Sequence, residues 1–407
     1  MNGSTDPHSD DQPSGEKAPS SRGPLRVIGV VAAVVVAAAV VLILLADSDS
    51  APPPRPDIPL DAWAPYWALD SSLPELAVHS KAIRELSPFW FNAVAAGQIV
   101  ADPNASPELT EAFMVEARRS DALVVPSIID AMPAGEMAAV LADPSTRRAH
   151  IDTIVEFAAA GDYDGVDIDY EQFAFADGKD SWAATRPNWV AFITELASEL
   201  HSAGRTLTVS IPPVYDAERT SESGFWVYDY GAIVDHVDHI RIMAYDFSVA
   251  EPGPIAPLDW VEGAIEGVIE AAGSPDKLVL GLPAYGRNWP TFVAGECPEE
   301  ELQGRTSVSA RSVDELIERR GATPVRVDAT GEWMFEYDLE VTDGELTCIQ
   351  TRQVHYVDGD GLRLRMDLAR KYQLDGVALW ALGFDDGAVW NEILPTVADP
   401  QATTTVE

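Results

Sequence analysis

The chain has 407 residues, 66 of them acidic and 27 basic, for a formal net charge of −39. That balance repels nucleic acid and anionic lipid headgroups, so no nucleic-acid partner is expected. The length suits one large domain with appendages.

Residues 1–26 are polar and rich in Ser and Asp, and read as a disordered cytoplasmic tail. Val27 to Ala46 is uncharged and mostly aliphatic, long enough to cross a bilayer as one helix. Lys17, Arg22 and Arg26 precede it, and Asp47 and Asp49 follow. The positive-inside rule then puts the N-terminus in the cytoplasm and the rest outside. The expectation is a single-pass anchor in the cell membrane with an extracellular domain. The competing reading is a long signal peptide, cleaved to give a secreted protein, but no convincing Ala-x-Ala site follows Ala46. Residues 47–58 read as a Pro-rich spacer and 397–407 as a disordered tail.

Between 59 and 396, short apolar runs alternate with segments of helical period. This is the pattern of βα units and a parallel sheet. Eight strands are predicted, at 61–67, 88–94, 122–129, 165–171, 206–212, 239–246, 277–286 and 376–382. The clearest helix is 187–204, with Pro187 in its first turn and Gly204 at its C-terminal cap. An α/β fold of the (β/α)8 TIM-barrel type is therefore expected. The alternative, a doubly wound open sheet, lacks its Gly-x-Gly-x-x-Gly turn after the first strand. Such a barrel takes about 250 residues. The surplus falls between strands seven and eight, at about 290–360, among strand-like pieces such as TPVRVDA. Cys297 and Cys348, the only cysteines, also lie there. Outside the cytoplasm a lone pair commonly forms a disulfide; two separate buried thiols are the alternative.

The fourth predicted strand carries Asp164-Gly-Val-Asp-Ile-Asp-Tyr-Glu171. Strand alternation puts Asp167, Asp169 and Glu171 on one face, with Val166, Ile168 and Tyr170 on the other, under a covering helix. Neighbouring carboxylates in such a row start about 6.5–7 Å apart at Cα. Three anions that close repel, so at least one holds a proton at neutral pH. Acid catalysis needs such a cluster and stability rarely favours one. A solvated acidic strand and a hard-cation site are the alternatives; no EF-hand spacing is present, and neither metal nor other cofactor is expected.

The pattern Asp-x-x-Asp-x-Asp-x-Glu, filled by Asp164, Asp167, Asp169 and Glu171, resembles the catalytic signature of glycoside hydrolase family 18, the chitinase-like enzymes. That family is substrate-assisted: the sugar's own acetamide is the nucleophile. The resemblance implies that Glu171 is the general acid and that Asp169 orients the acetamide. Tyr245 would bond the acetamide oxygen, Asp167 would share a proton or hydrogen bond with Asp169, and Asp164 would be structural. Met243-Ala-Tyr245-Asp246 matches the family's Met-x-Tyr-Asp element, with Asp246 contacting substrate or modulating Glu171. Trp380 stands where the family has the floor under the reacting sugar. Tyr285 is similar to a position near the site, and Arg287 is a candidate hydrogen-bond donor to sugar. Trp63, Trp67, Trp90, Trp182, Trp226 and Trp289 are weaker stacking candidates. The family's small α+β insertion matches the surplus between strands seven and eight.

One departure stands out. The third strand ends Val125-Pro126-Ser127-Ile-Ile-Asp130, without the Ser-x-Gly-Gly of typical chitinases. The segments WAPYW, SPFWF and His355-Tyr-Val-Asp-Gly-Asp look closer to the bacterial branch that includes spore-cortex and cell-wall N-acetylglucosaminidases. The resemblance thus implies retaining hydrolysis of β-1,4 bonds next to N-acetylglucosamine, in peptidoglycan or a chitin-type polysaccharide. A non-catalytic, lectin-like wall protein is the alternative, against which Glu171 argues. Asp235-His236-Val-Asp238-His239 groups two imidazoles with two carboxylates, but it precedes the sixth strand, at the barrel end opposite the chemistry. It is expected to be an ordinary strand start rather than a metal site.

Overall fold

The computed structural model describes residues 58–213, 226–297 and 304–394. The expected N-terminal tail, the anchor, nearly all of the spacer and the C-terminal tail lie outside the described residues. Among those described, no helix is long and apolar enough to cross a membrane.

Nine strands come first: β1 (Leu60–Pro65), β2 (Ile83–Ala95), β3 (Gln98–Ala101), β4 (Leu123–Val124), β5 (Ser127–Asp130), β6 (Gly165–Asp169), β7 (Thr206–Ile211), β8 (His239–Ile242) and β9 (Leu278–Pro283). Then come β10 (Tyr285–Gly295), β11 (Thr306–Ser309), β12 (Val325–Val327), β13 (Glu332–Asp343), β14 (Leu346–Tyr356) and β15 (Gly376–Trp380). Parallel pairing runs β1-β2-β5-β6-β7-β8-β9-β15 and returns to β1. Leu60 pairs with Ile83 on one side and with Val377 on the other, so the sheet is a closed eight-stranded barrel. β4 pairs with β2 just ahead of β5, and β3 turns back on β2 as a hairpin.

The outward face of β6 explains why this strand is central. Val166 and Ile168 are fully buried, and Tyr170 continues their face into the helix layer. The Tyr170 hydroxyl lies 2.7 Å from His150 Nε2, in the helix Pro144–Ala160. Its ring stacks on Phe192, in the helix Trp182–Ser202, at 5.9 Å between centroids. That second helix starts before the predicted 187–204, and Pro187 sits inside it. Packing accounts for the difference. Trp182 is buried and its indole N–H donates to the Phe173 carbonyl at 2.7 Å, which anchors a turn that Pro187 alone disfavours. The C-terminal end is as expected, with Gly204 at φ +70°.

Several barrel strands end earlier than predicted, two of them beside the site. β6 stops at Asp169 and β8 at Ile242, so Glu171 and the Met243–Asp246 segment stand on turns above the barrel. Asp246 is left-handed, φ 61°. Asp tolerates that region better than most residues, and it redirects the chain at the cavity.

The surplus is an α+β insertion, as expected, and it begins at Tyr285. Its five-stranded antiparallel sheet has the order β11-β10-β14-β13-β12. Val313 and Leu316, from the helix Ala310–Arg320, pack with Phe335, Tyr337, Val354 and Tyr356 of the sheet. Cys297 and Cys348 form a disulfide with their Cα atoms 4.7 Å apart.

Candidate active site

The carboxylate row opens at the C-terminal ends of the barrel strands, where (β/α)8 chemistry belongs. Asp169 closes β6, and Glu171 follows with φ −96° and ψ −13°, leading into the short helix Gln172–Phe175. Both line a cavity of about 690 Å3 together with Met243, Tyr245, Asp246 and Trp380. The sequence separates Asp169 from Trp380 by 211 positions; barrel closure brings them to one mouth.

Trp380 forms part of the wall at the end of β15. Trp63, Trp67 and Phe89 hold it edge-on, with ring centroids 5.7, 6.3 and 4.8 Å away. Of the other tryptophans suggested by sequence, Trp67 lines the cavity and is 51% exposed. Trp63, Trp90, Trp182 and Trp289 are buried, and Trp226 lies under the Arg186 guanidinium at 3.9 Å. The cavity is also lined by residues not singled out by sequence: Phe175, Phe247, Val249 and Trp260. They come from separate segments, Phe175 and Trp260 from helices and Phe247 and Val249 from a loop, so only the fold reveals their grouping.

Asp167 does not line the cavity. Its Oδ2 accepts from Trp63 Nε1 at 3.0 Å, Ser127 Oγ at 2.7 Å and Arg241 Nη1 at 3.1 Å. Its Oδ1 accepts from Ser210 Oγ at 2.7 Å. Four donors use up what a carboxylate offers, so the bond expected between Asp167 and Asp169 is replaced by these partners. Asp164 binds structure as expected: its Oδ2 accepts from Val124 N at 2.8 Å, tying the start of β6 to β4.

Asp169 is 3% exposed, and among the described residues its Oδ1 has no hydrogen-bond partner. Burial, then the charges of Glu171 and Asp167, hold its carboxyl well above the usual range. Burial and then the charge of Asp246 push Glu171 up to about 7. Asp246 in turn accepts from the Tyr285 hydroxyl and from Arg287, Nη2 at 2.5 Å and Nε at 3.1 Å. Tyr285 and Arg287 thus reach the cavity through Asp246 rather than by lining it.

Tyr245 owes its place to a glycine that sequence reasoning missed. A Cβ at Gly281, on β9, would lie 2.7 Å from the Tyr245 ring and 2.8 Å from the Ile242 carbonyl oxygen. The signal was present as a lone Gly inside an apolar strand, which marks close approach of another group.

Asp130, at the end of β5, is a further buried acid. Its Oδ1 accepts from Met132 N at 3.1 Å, while Oδ2 has no partner among the described residues. Burial pushes it up to about 7. A raised carboxyl binds its proton more tightly in the folded state, so its contribution to stability falls as pH rises from about 4 to 7. Asp130→Asn is expected to raise the thermal midpoint at pH 8 and to change it little at pH 4. Equal effects at both pH values would contradict this reading. Among the described residues no cluster has the ligands for a metal ion. His239, in the segment checked for one, pairs with Glu85 and Asp375 instead.

The model for glycosyl hydrolases family 18 matches residues 96–385. YdhD of Bacillus subtilis (strain 168), named as a candidate sporulation-specific glycosylase, is 30% identical over 254 residues. The match takes in 61% of this chain and about half, 54%, of that relative. A chitinase from Chromobacterium violaceum superposes with a TM-score of 0.66 at 24% identity, over 83% of this chain and 98% of its own. The spore cortex-lytic enzyme SleL of Bacillus megaterium gives 0.67 at 17% identity, over 85% and 76%. The solved structures speak for the barrel and its insertion; the family model spans most of the chain, including the carboxylate row. By that match, this chain belongs to glycosyl hydrolases family 18.

Proposed function

We propose that the protein is a retaining, substrate-assisted hydrolase of β-1,4 bonds next to N-acetylglucosamine, acting on cell-wall peptidoglycan or a chitin-type polymer. The observation that carries this reading is Glu171, pushed up to about 7, beside the buried Asp169 in an aromatic-walled cavity. At neutral pH a large fraction of Glu171 holds the proton that the glycosidic oxygen needs as its bond to C1 breaks. The acetamide oxygen attacks C1 from the other side and gives an oxazolinium ion. The unpartnered Oδ1 of Asp169 is an acceptor that the acetamide N–H satisfies. Tyr245 donates to the acetamide oxygen. Water then attacks C1, Glu171 takes its proton, and the configuration is retained. Trp380 and Trp67 offer apolar faces to sugar C–H groups.

The expected anchor and short spacer hold the active site near the cell's own wall, which favours peptidoglycan. The likeness to a sporulation-specific glycosylase and to a spore cortex-lytic enzyme supports the same choice. The test is to incubate the full-length chain with chitin oligosaccharides and with purified peptidoglycan, and to identify products by mass spectrometry. Fragments with N-acetylglucosamine at the new reducing end are expected, and the polymer that yields them names the substrate. Binding to either polymer without cleavage would replace this reading with the lectin-like one.

A further inference from the structure

Below Asp167 the barrel is filled with charge, where aliphatic layers usually pack. Asp61 on β1, Glu85 and Ser87 on β2, Thr208 and Ser210 on β7, and Arg241 on β8 are all fully buried. Arg241 stands at the centre. Its Nη1 donates to Ser87 Oγ at 2.6 Å and to Asp167 Oδ2 at 3.1 Å, and its Nη2 to Glu85 Oε2 at 3.0 Å. Its Nε lies 3.5 Å from Asp61 Oδ2, and its guanidinium 5.0 Å from the Trp63 ring centre.

The column continues to the N-terminal mouth. His239 bridges Glu85 at 2.9 Å and Asp375 at 3.2 Å, and is held up to about 9. Arg84 binds Asp61 through Nε at 2.8 Å and Nη2 at 2.9 Å, and also reaches Asp375. Well-packed apolar side chains would serve stability as well as this buried ion network does. What they would not do is fix a charge at the foot of the carboxylate row.

We infer that Arg241 is a positioning residue for the reaction, acting through Asp167, which it holds as an oriented anion beneath Asp169. The inference rests on the family 18 reading of the row. The groups facing Asp167 are Trp63 from β1, Ser127 from β5, Ser210 from β7, Arg241 from β8 and Asp169 from its own strand. Trp63, Ser127 and Ser210 are neutral donors; Arg241 alone among these brings positive charge. The groups facing Arg241 are Asp61, Glu85, Ser87 and Asp167, with Arg84 beyond Asp61. Without the guanidinium, Asp167 keeps only neutral donors beneath Asp169, and Asp169 loses a positive charge that draws its carboxyl down. Asp169 then takes up its proton at higher pH, and a protonated Asp169 offers no negative charge to the acetamide.

The test compares kcat/KM against pH for the parent, Arg241→Met and Arg241→Lys on a chromogenic N-acetylglucosamine oligomer. In Arg241→Met the acid limb is expected to move up by about one pH unit, a roughly tenfold loss at pH 5. Arg241→Lys is expected to return the limb toward the parent while kcat stays low. An unmoved acid limb in folded Arg241→Met would mean a merely structural role and overturn the inference. Thermal midpoints of Arg241→Met, Asp167→Asn and the double variant give a readout free of activity. Asp167→Asn is expected to recover stability lost in Arg241→Met; additive effects would overturn the pairing. A parent chain without turnover would sink the hydrolase reading, while the stability cycle would still decide the pair.

Discussion

Glu171→Gln is expected to lower kcat by about 10² to 10⁴-fold, the range for losing a positioned general acid–base. Gln keeps the shape of the side chain but has no acidic proton to donate. In the parent, kcat/KM is expected to decline as pH rises through about 7, where Glu171 gives up the proton it must donate. The same shift supplies a folding control. A carboxyl raised in the folded state costs stability as pH rises from its unfolded value toward about 7, and that cost persists above it. Glu171→Gln removes it, so the variant is expected to melt no lower than the parent at pH 8. Kinetics at pH 6 and a melting curve at pH 8 check both halves. Full activity in the variant would remove Glu171 from the reaction.

Gly281→Ala is expected to lower kcat by about 10²-fold although the residue touches no substrate. The new methyl meets the Tyr245 ring at 2.7 Å and the Ile242 carbonyl oxygen at 2.8 Å, both closer than carbon contacts allow. The backbone oxygen is fixed by the barrel, so the ring must move. A displacement of about 1 Å at a catalytic group is enough for a loss of this size. Overpacking costs about 1–3 kcal/mol of stability, which a melting curve will register. The double variant Gly281→Ala/Tyr245→Phe separates the two effects. If Gly281 acts through Tyr245, the losses in kcat fail to multiply; independent losses would show that the substitution disturbs something else.

The barrel was legible because βα alternation spans the whole domain and each strand carries its own apolar run. The row Asp167, Asp169, Glu171 was legible because it lies within a few residues of one strand. What escaped depended on contacts between distant strands. The four partners of Asp167 come from β1, β5, β7 and β8, and nothing in the sequence joins Trp63, Ser127, Ser210 and Arg241 to it. Arg241 occupies an inward position of β8, where charge usually argues against burial. Tyr285 and Arg287 were placed near the site by resemblance, but their engagement with Asp246 depends on its left-handed turn. The helix over 182–202 began before its prediction because the burial of Trp182 outweighs the local preference of Pro187.

β1 sits between β2 and β15, and Leu60 pairs with Val377 near the other end of the domain. The barrel cannot close until the last strand has been made. Contacts so distant along the chain slow folding, since a long loop must be ordered before they form. Until then β1 and β9 each present an unpaired parallel edge, the kind of surface on which incomplete chains associate. The net charge of −39 acts against this, because like-charged unfinished chains repel one another. High salt during refolding screens that repulsion and thereby favours aggregation over closure.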